Sequence, residues 1–376
     1  MSEPLQALVV VFRPYSHFGI EAYLNGLLPQ LEMQGINVTL LVFGDVEPQA
    51  RSLLQEADVE VLARPVERET ASPSRLARRR ARQLVLREVL SGRRYDVIHM
   101  NTSGGGSHFI AIQEARRAGV PVIIPHGHSA VLDRGALDSV LMCIYRPHIV
   151  RRATHLVACS NAAGIDLYGE RTWRKRGIVA RNGIDTASFA FDQHTRNRMR
   201  PDGPDAFVVG FVGRLAPQKN PEKLLHVFAA VAQTCDAARL WIVGDGELRA
   251  SLEQKAIELG IDNRTTFWGD RSDVPNLLQG MDCLVMPSRF EGLPVALVEA
   301  QASGLPCVIS DVIDPEAAMP GCPTVSLPLS ASDESCAAAV MNCRDARIPD
   351  GDAKVRAAGY DMHESAAAMA ELYRHR

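Results

Sequence analysis

Short apolar runs recur along the whole chain, separated by longer stretches in which apolar positions return every three or four residues. In the first half the runs fall at 5–12, 38–43, 96–100, 120–125 and 155–160, and they are rich in Val, Ile and Leu. Continuous runs of this kind mark strands buried on both faces, as in a parallel sheet covered by helices. Helical spacing at 20–34 and 108–118 predicts part of that cover. The pattern then starts again. Strand-like runs at 206–213, 238–244, 265–269, 283–288 and 306–310 alternate with helical segments at 221–234, 247–259, 273–280 and 294–303. The chain is therefore expected to form two doubly wound α/β units in tandem, over 1–190 and 200–358. Between them, 191–205 is polar, holds two prolines and a glycine, and lacks periodicity, which is the composition of a linker. At the end, Met362, Ala366, Met369, Leu372 and Tyr373 fall at roughly helical spacing. They predict an amphipathic helix within 359–376 that docks back on the first unit.

Composition supports this outline. A length of 376 residues suits two domains of ~100–200 residues. With 46% hydrophobic and 23% charged residues there is enough apolar material for two cores, and disorder over most of the length is excluded. No run reaches the ~18 apolar residues of a membrane span. The first residues, MSEPLQALVVVFRP, have no basic stretch ahead of the apolar run and read as a strand rather than a signal peptide. Eight cysteines without a C-x-x-C argue against a zinc ribbon or a disulfide framework and fit a reducing, cytoplasmic setting.

Charge is spread unevenly. Residues 1–200 hold 26 Lys and Arg against 19 Asp and Glu, whereas 201–376 hold 15 against 25. A basic half can face an anionic membrane, a phosphorylated acceptor or nucleic acid. Nucleic acid is the weakest of the three, because aromatics are only 6% and no basic-aromatic module appears. The segment 75–94 carries eight arginines and one glutamate, with Leu76, Leu84 and Leu90 as an expected apolar side. It reads either as a helix drawn to anionic lipid or as a solvated helix on the first sheet.

The chemistry concentrates in the second half. In FVGRLAPQKNPEKLL (211–225) a strand ends at Gly213, a loop carries Arg214 and Lys219, and a helix starts near Pro221. Ligands of open α/β sheets sit at the carboxyl ends of strands. Two cations there suit a pyrophosphate, Arg214 as a fork and Lys219 as a point charge. In MPSRFEGLPVALVEAQASGLPCV (286–308), Glu291 and Gly292 form a turn before a helix with Pro294 in its first turn. The N–H groups around Leu293 and Val295 form an anion site with the helix dipole. Glu299, one to two turns further on, is placed to accept both hydroxyls of a ribose, and Glu291 to accept hydroxyls of whatever hangs from the phosphates. Elsewhere, His126 and His128 form an H-x-H that lacks the further ligands of a metal site unless Asp133 joins them. The one Asp-x-Asp, Asp350 and Asp352, follows Ile348-Pro349 and reads as a surface turn, so no essential metal or cofactor is expected. The turn Asn101–Gly106 lacks the P-loop lysine.

Taken together, GRLAPQKN, GDGELR (244–249) and EGLPVALVE (291–299) followed by AQASGLPCV resemble the retaining nucleotide-sugar glycosyltransferases of family four. The first half resembles them more weakly, through HFGIEAYLNGLLPQL (17–31), YDVIHMN (95–101), VIIPHGHS (122–129), ATHLVACSNAAGIDLYG (153–169) and ARNGID (180–185). Residues 122–185 look most like the branch that builds bacterial exopolysaccharide, capsule or O-antigen. The resemblance implies a GT-B fold: α/β, two Rossmann-like doubly wound domains facing a central cleft. It implies that Arg214 and Lys219 hold the diphosphate, that Glu299 binds the ribose and Glu291 the donor sugar, and that backbone at Gly213, Gly292, Leu293, Pro294 and Val295 lines the donor. It also implies that His126 lies near the transferred sugar and that Gly19 lets the first loop approach the phosphates. The family often has a second glycine where Phe18 stands, which leaves that loop two roles, phosphate contact or shaping the acceptor pocket. His128 lines the acceptor side or makes a structural hydrogen bond.

The expected reaction is metal-independent transfer of a sugar, with retention, from a nucleoside diphosphate (UDP before others) to an acceptor hydroxyl. The acceptor expected is a saccharide or lipid-linked saccharide at the inner membrane face. Two alternatives stay open: an epimerase or hydrolase on the same fold, and a non-catalytic nucleotide-binding subunit.

Overall fold

The computed structural model describes residues 4–15, 20–66, 74–102, 105–128, 136–200, 203, 205–291 and 293–375. The chain divides into two compact units, Met1–Gly183 with Met362–Arg376, and Ile184–Asp361.

The first unit is built on seven parallel strands: β1 Leu5–Val11, β2 Ile36–Val42, β3 Glu60–Ala63, β4 Val97–Thr102, β5 Val122–Gly127, β6 Leu156–Ala158 and β7 Gly177–Val179. Their order is β3-β2-β1-β4-β5-β6-β7. Successive side chains of β1 enter opposite cores, Leu8 and Val10 on one face and Ala7, Val9 and Val11 on the other. This is why the run shows no alternation in sequence. The second unit has six parallel strands: β8 Phe207–Val212, β9 Ala238–Val243, β10 Thr265–Gly269, β11 Cys283–Met286, β12 Cys307–Ser310 and β13 Thr324–Leu327. Their order is β10-β9-β8-β11-β12-β13. Both are doubly wound sheets with an apolar core on each face.

Three strands, β3, β7 and β13, have no counterpart among the sequence-predicted runs. Each lies at a sheet edge, spans three or four residues and has no fully buried position. An edge strand needs no continuous apolar run, so nothing in its sequence stands out.

The segment 191–205 is not a bare linker. Asp192 caps the helix Gln193–Arg198 by accepting from the His194 and Thr195 N–H groups. Arg196 and Arg200 then pair with Asp282 at 2.5 and 3.0 Å, and Ile184 and Phe189 lie in the second unit's core. The polar composition reflects ion pairs to the second unit, and the seam falls earlier, at 183/184. The terminal helix Met362–Arg374 puts Met362, Ala366, Met369, Ala370 and Tyr373 into the first unit's core beside Leu24, Leu27 and Leu28. It packs over Gly26, where a Cβ would lie 2.5 Å from the Met362 Cε.

The arginine-rich segment forms the helix Arg75–Gly92, capped by Ser74. Leu86 and Leu90 are buried in the core, whereas Leu76 and Leu84 are 60% and 64% exposed. The expected single apolar side is therefore wrong for Leu90, since six residues at ~100° each place it ~120° away from Leu84. Among the described residues no helix is long and apolar enough to cross a membrane.

Candidate functional site

In the second unit the loops after β8 and β9 lie against each other. Gly213 N donates to Val243 O at 2.9 Å, Leu215 N to Asp245 O at 2.9 Å, and Leu248 N to Leu215 O at 3.1 Å. Gly244 makes this possible: its φ is +121°, and a Cβ there would lie 2.1 Å from the Gly213 carbonyl oxygen. The GDGE turn is thus a backbone brace for the loop that carries Arg214 and Lys219.

Lys219 ends a single 3-10 turn, Pro217–Lys219, and Asn220 follows in the left-handed region at φ +53°. Asparagine tolerates this conformation better than other side chains with a Cβ. Its Nδ2 donates to the Pro287 carbonyl at 3.1 Å, tying this loop to the one after β11. Two more bonds strengthen the tie: Arg289 N donates to Gln218 O at 2.8 Å, and Gln218 Nε2 to Phe290 O at 3.1 Å. The result brings Lys219 and Glu291 together, Nζ to Oε1 at 2.6 Å, with side chains only 18% and 6% exposed. Gln218 Nε2 reaches the other Glu291 oxygen at 3.4 Å. The Lys219 stem passes over Gly213, 3.6 Å from where a Cβ would sit.

Arg214 stands apart from this pair. It is 71% exposed and bonded to Glu247 of the GDGE turn at 3.2 Å. An exposed ion pair of this kind contributes little, so Arg214 can exchange its partner at low cost. Lys223 is spoken for structurally, bonded to the Ala331 carbonyl and paired with Asp333, both at 2.7 Å.

The helix Val295–Ala302 starts at Pro294 with no side-chain cap. Leu293 and Pro294 are buried, which anchors the turn. The N–H groups of the first turn have no acceptor within a helix, the usual basis of an anion site. Glu299 lies in the second turn, half-buried, with no side-chain partner among the described residues. Burial alone pushes its carboxyl up to about 7. A carboxyl sheltered without a donor is costly, and hydroxyl donors from a ligand would relieve it. Gly19, Gly292, Phe18 and Asp133 lie outside the described residues.

The first unit holds a different cluster. Adjacent parallel strands pair Asn101 of β4 with His126 of β5, so His99, Asn101 and His126 share one face of the sheet, and His128 follows at the next such position. All four are buried. His99 Nε2 lies 3.0 Å from His126 Nδ1, and His99 Nδ1 lies 2.7 Å from the Tyr373 hydroxyl. His128 Nε2 lies 2.8 Å from Asn101 Oδ1, and Tyr23 packs against the rings of His126 and His128, 6.0 Å away in each case. Burial holds His126 and His128 well below the usual histidine range and pushes His99 and His108 down to about 3, so the cluster is neutral. His126 Nε2 and His128 Nδ1 have no hydrogen-bond partner among the described residues. At the rim of this unit, Arg13 grips Glu21 with two bonds of 2.6 and 2.7 Å. Sequence reasoning found His126 and His128 but not His99, Tyr23 or Tyr373. The available signal was H-x-N at the end of one strand beside H-x-H at the end of the next.

Among the described residues no group of three or more His, Cys, Asp or Glu is placed to hold a metal ion. Asp350 precedes the helix Gly351–Ala357 and pairs with Lys354.

Comparison with known proteins bears on the family and the fold. A family profile described as "Glycosyl transferases group 1" matches residues 206–346, and one described as "Glycosyl transferase 4-like domain" matches 18–183. EpsF of Bacillus subtilis (strain 168), named as a glycosyltransferase, is 33% identical over 291 residues, 74% of each chain. The UDP-Gal:alpha-D-GlcNAc-diphosphoundecaprenol alpha-1,3-galactosyltransferase of Escherichia coli is 28% identical over 60% of each chain. Among solved structures, Anabaena Alr3699/HepE in complex with UDP superposes with a TM-score of 0.78 at 20% identity, covering 98% of this chain and 99% of that one. The lipopolysaccharide biosynthesis glycosyltransferase WaaG gives a TM-score of 0.72 at 17% identity, covering 97% and 99%. Two parallel doubly wound sheets, two matching profiles and a relative one-third identical over three quarters of the length place this chain in the group 1, 4-like glycosyltransferase family, with the GT-B fold.

Proposed function

We propose that this glycosyltransferase moves a sugar from a UDP-sugar to a hydroxyl of a lipid-linked or oligosaccharide intermediate of cell-surface polysaccharide synthesis, with retention and without an essential metal. The observation that carries the reading is the Lys219–Glu291 pair, 2.6 Å apart beside Gly213 and next to an uncapped helix start. Lys219 and Arg214 supply positive charge where a leaving diphosphate gains negative charge, the work a metal does elsewhere. Glu291 orients Lys219 in the empty site and accepts sugar hydroxyls in the filled one. Glu299 takes the ribose hydroxyls, and the N–H groups at Leu293 and Val295 contact sugar or phosphate. Among the described residues no carboxylate is set up as a nucleophile, so a same-face displacement is favoured, in which the departing phosphate oxygen accepts the acceptor's proton. His126 serves the transferred sugar from the first unit.

The UDP preference draws on the UDP complex of the Anabaena protein and on the E. coli relative, whose name gives a UDP-galactose donor and a diphosphoundecaprenol-linked acceptor. A Salmonella typhi relative named for Vi polysaccharide biosynthesis, 41% identical over 27% of this chain, supports the polysaccharide setting. Peripheral contact with an anionic membrane draws on the helix Arg75–Gly92, with Leu76 and Leu84 exposed among arginines. Sedimentation with anionic and neutral liposomes tests that part, and equal pelleting with both overturns it.

The test of the reaction is UDP release and product anomer by NMR, with UDP-sugars, a diphosphoundecaprenol-linked acceptor and EDTA. Acceptor-dependent release with a retained anomer is expected. Release without acceptor indicates a hydrolase, interconversion of the donor an epimerase, and binding without turnover a non-catalytic subunit; each overturns the reading.

A further inference from the structure

We propose that Tyr373 and His99 are positioning residues that hold His126 in the tautomer with its proton on Nε2, so that the site meets a hydrogen-bond donor rather than a base. The inference deepens the reading of His126 as a sugar-transfer residue and rests on it for its functional meaning.

The geometry is a relay of three enclosed groups. The Tyr373 hydroxyl lies 2.7 Å from His99 Nδ1, and His99 Nε2 lies 3.0 Å from His126 Nδ1. None of the three side chains is more than 1% exposed. The two imidazoles lie 12° from parallel, which keeps the linking hydrogen bond near the plane of both rings. Burial keeps both rings neutral, so each carries one proton.

Two proton arrangements satisfy the distances. In the first, the tyrosine O–H donates to His99 Nδ1, and His99 Nε2–H donates to His126 Nδ1. The proton of His126 then sits on Nε2, and among the described residues that N–H is the one polar group of the three without a well-aligned partner. In the second, every bond is reversed. His126 Nδ1–H donates to His99 Nε2, and His99 Nδ1–H donates to the tyrosine oxygen. The tyrosine O–H then has no acceptor among the described residues, and His126 Nε2 is left as a bare lone pair. Each arrangement leaves one donor open, and the second strands an acceptor as well, the His126 Nε2 lone pair, so it is the costlier of the two. A hydrogen bond to the Ala180 backbone also favours a proton on the His126 ring. The partner that an Nε2–H asks for is an oxygen, either a hydroxyl or a phosphate oxygen of the ligand.

Tyr373 enters from the terminal helix Met362–Arg374, 274 residues from His99 in sequence. That helix is therefore a support of the site residue as well as a cover for the core.

Long-range ¹H–¹⁵N correlation on the full-length protein labelled at histidine tests the proposal without substrate, with His126 assigned by loss of its signals in His126→Gln. The wild type is expected to show a single neutral tautomer of His126, protonated at Nε2. Tyr373→Phe keeps the ring and removes only the O–H, which makes the two arrangements equivalent, so a mixture of both tautomers is expected. His99→Gln, whose amide can still donate to His126 Nδ1, is expected to restore the single tautomer, and melting curves establish that the variants are folded. A wild-type His126 protonated at Nδ1, or an unchanged spectrum in folded Tyr373→Phe, overturns the proposal. Both readouts concern the free protein, so they stand or fall separately from the transfer assay.

Discussion

The Lys219–Glu291 pair of the second unit is a pair of opposite charges at a strand end, whereas the histidine cluster of the first unit is enclosed and stays neutral. Lys219 and Glu291 meet at 2.6 Å where loops after two neighbouring strands are stitched together. His99, His126 and Tyr373 meet inside the core, where a net charge is expensive and the direction of each proton is the remaining variable. The contrast teaches that one catalytic family can draw on two kinds of electrostatics. One is charge held ready at a strand end. The other is dipoles fixed in place by packing.

The largest effect expected on this contrast is in turnover. Lys219→Ala should lower kcat by about 10²–10³, the cost of losing one stabiliser of developing negative charge, with a much smaller change in donor KM. Steady-state rates with varied donor check this, and equal loss in kcat and in donor binding contradicts it.

Next come opposite responses of the two units to pH. His99 and His108 lie at about 3 in the folded protein against an ordinary value of 6.5. Unfolding therefore takes up protons between pH 6.5 and 3. Stability present above pH 6.5 is lost as pH falls through that window. Glu299 works the other way. Its carboxyl moves from an ordinary 4.5 up to about 7, so its contribution declines as pH rises from 4.5 to 7. Urea denaturation followed by histidine and tryptophan signals from each unit, between pH 4 and 8, should show the first unit unfolding earlier in acid. Identical pH profiles for the two units would break the comparison.

A third effect sharpens the role of Glu299. If ribose hydroxyls donate to its carboxylate, nucleotide affinity should fall by up to tenfold per unit as pH drops below about 7, and binding should release a proton. Calorimetry in buffers of different ionisation enthalpy measures that proton. The smallest effect is expected at Arg214, which is 71% exposed in an ion pair with Glu247. Arg214→Ala should cost about three- to tenfold in kcat/KM, well short of the loss at Lys219.

How much of this was legible follows the same division. Arg214, Lys219, Glu291 and Glu299 could be read because each sits a fixed number of residues beyond a strand whose apolar run is continuous, so local sequence placed it. Gly244 was readable as part of the GDGE motif, but its purpose, clearance for the Gly213 carbonyl, needed coordinates. In the histidine relay only Tyr373 had no sequence signal, because it comes from a helix near the end of the chain, and no local pattern encodes its meeting with β4 and β5. The segment 191–205 misled for a related reason: Arg196 and Arg200 look solvated until Asp282, more than eighty residues on, is brought beside them. The edge strands β3, β7 and β13 escaped because half-exposed strands carry no apolar signature. Leu90 was grouped with Leu84 by composition, although helical geometry separates them.

Isothermal titration of the wild type and Glu299→Ala with UDP and GDP tests the central claim most directly, that the second unit binds a nucleoside diphosphate through the loops after β8 and β11 and the helix Val295–Ala302. The account predicts that UDP binds the wild type and that Glu299→Ala weakens this by about tenfold or more, the cost of losing a charge-assisted hydrogen bond to the ribose. UDP affinity unchanged in a folded Glu299→Ala, or no binding of either nucleotide to the wild type, would contradict it.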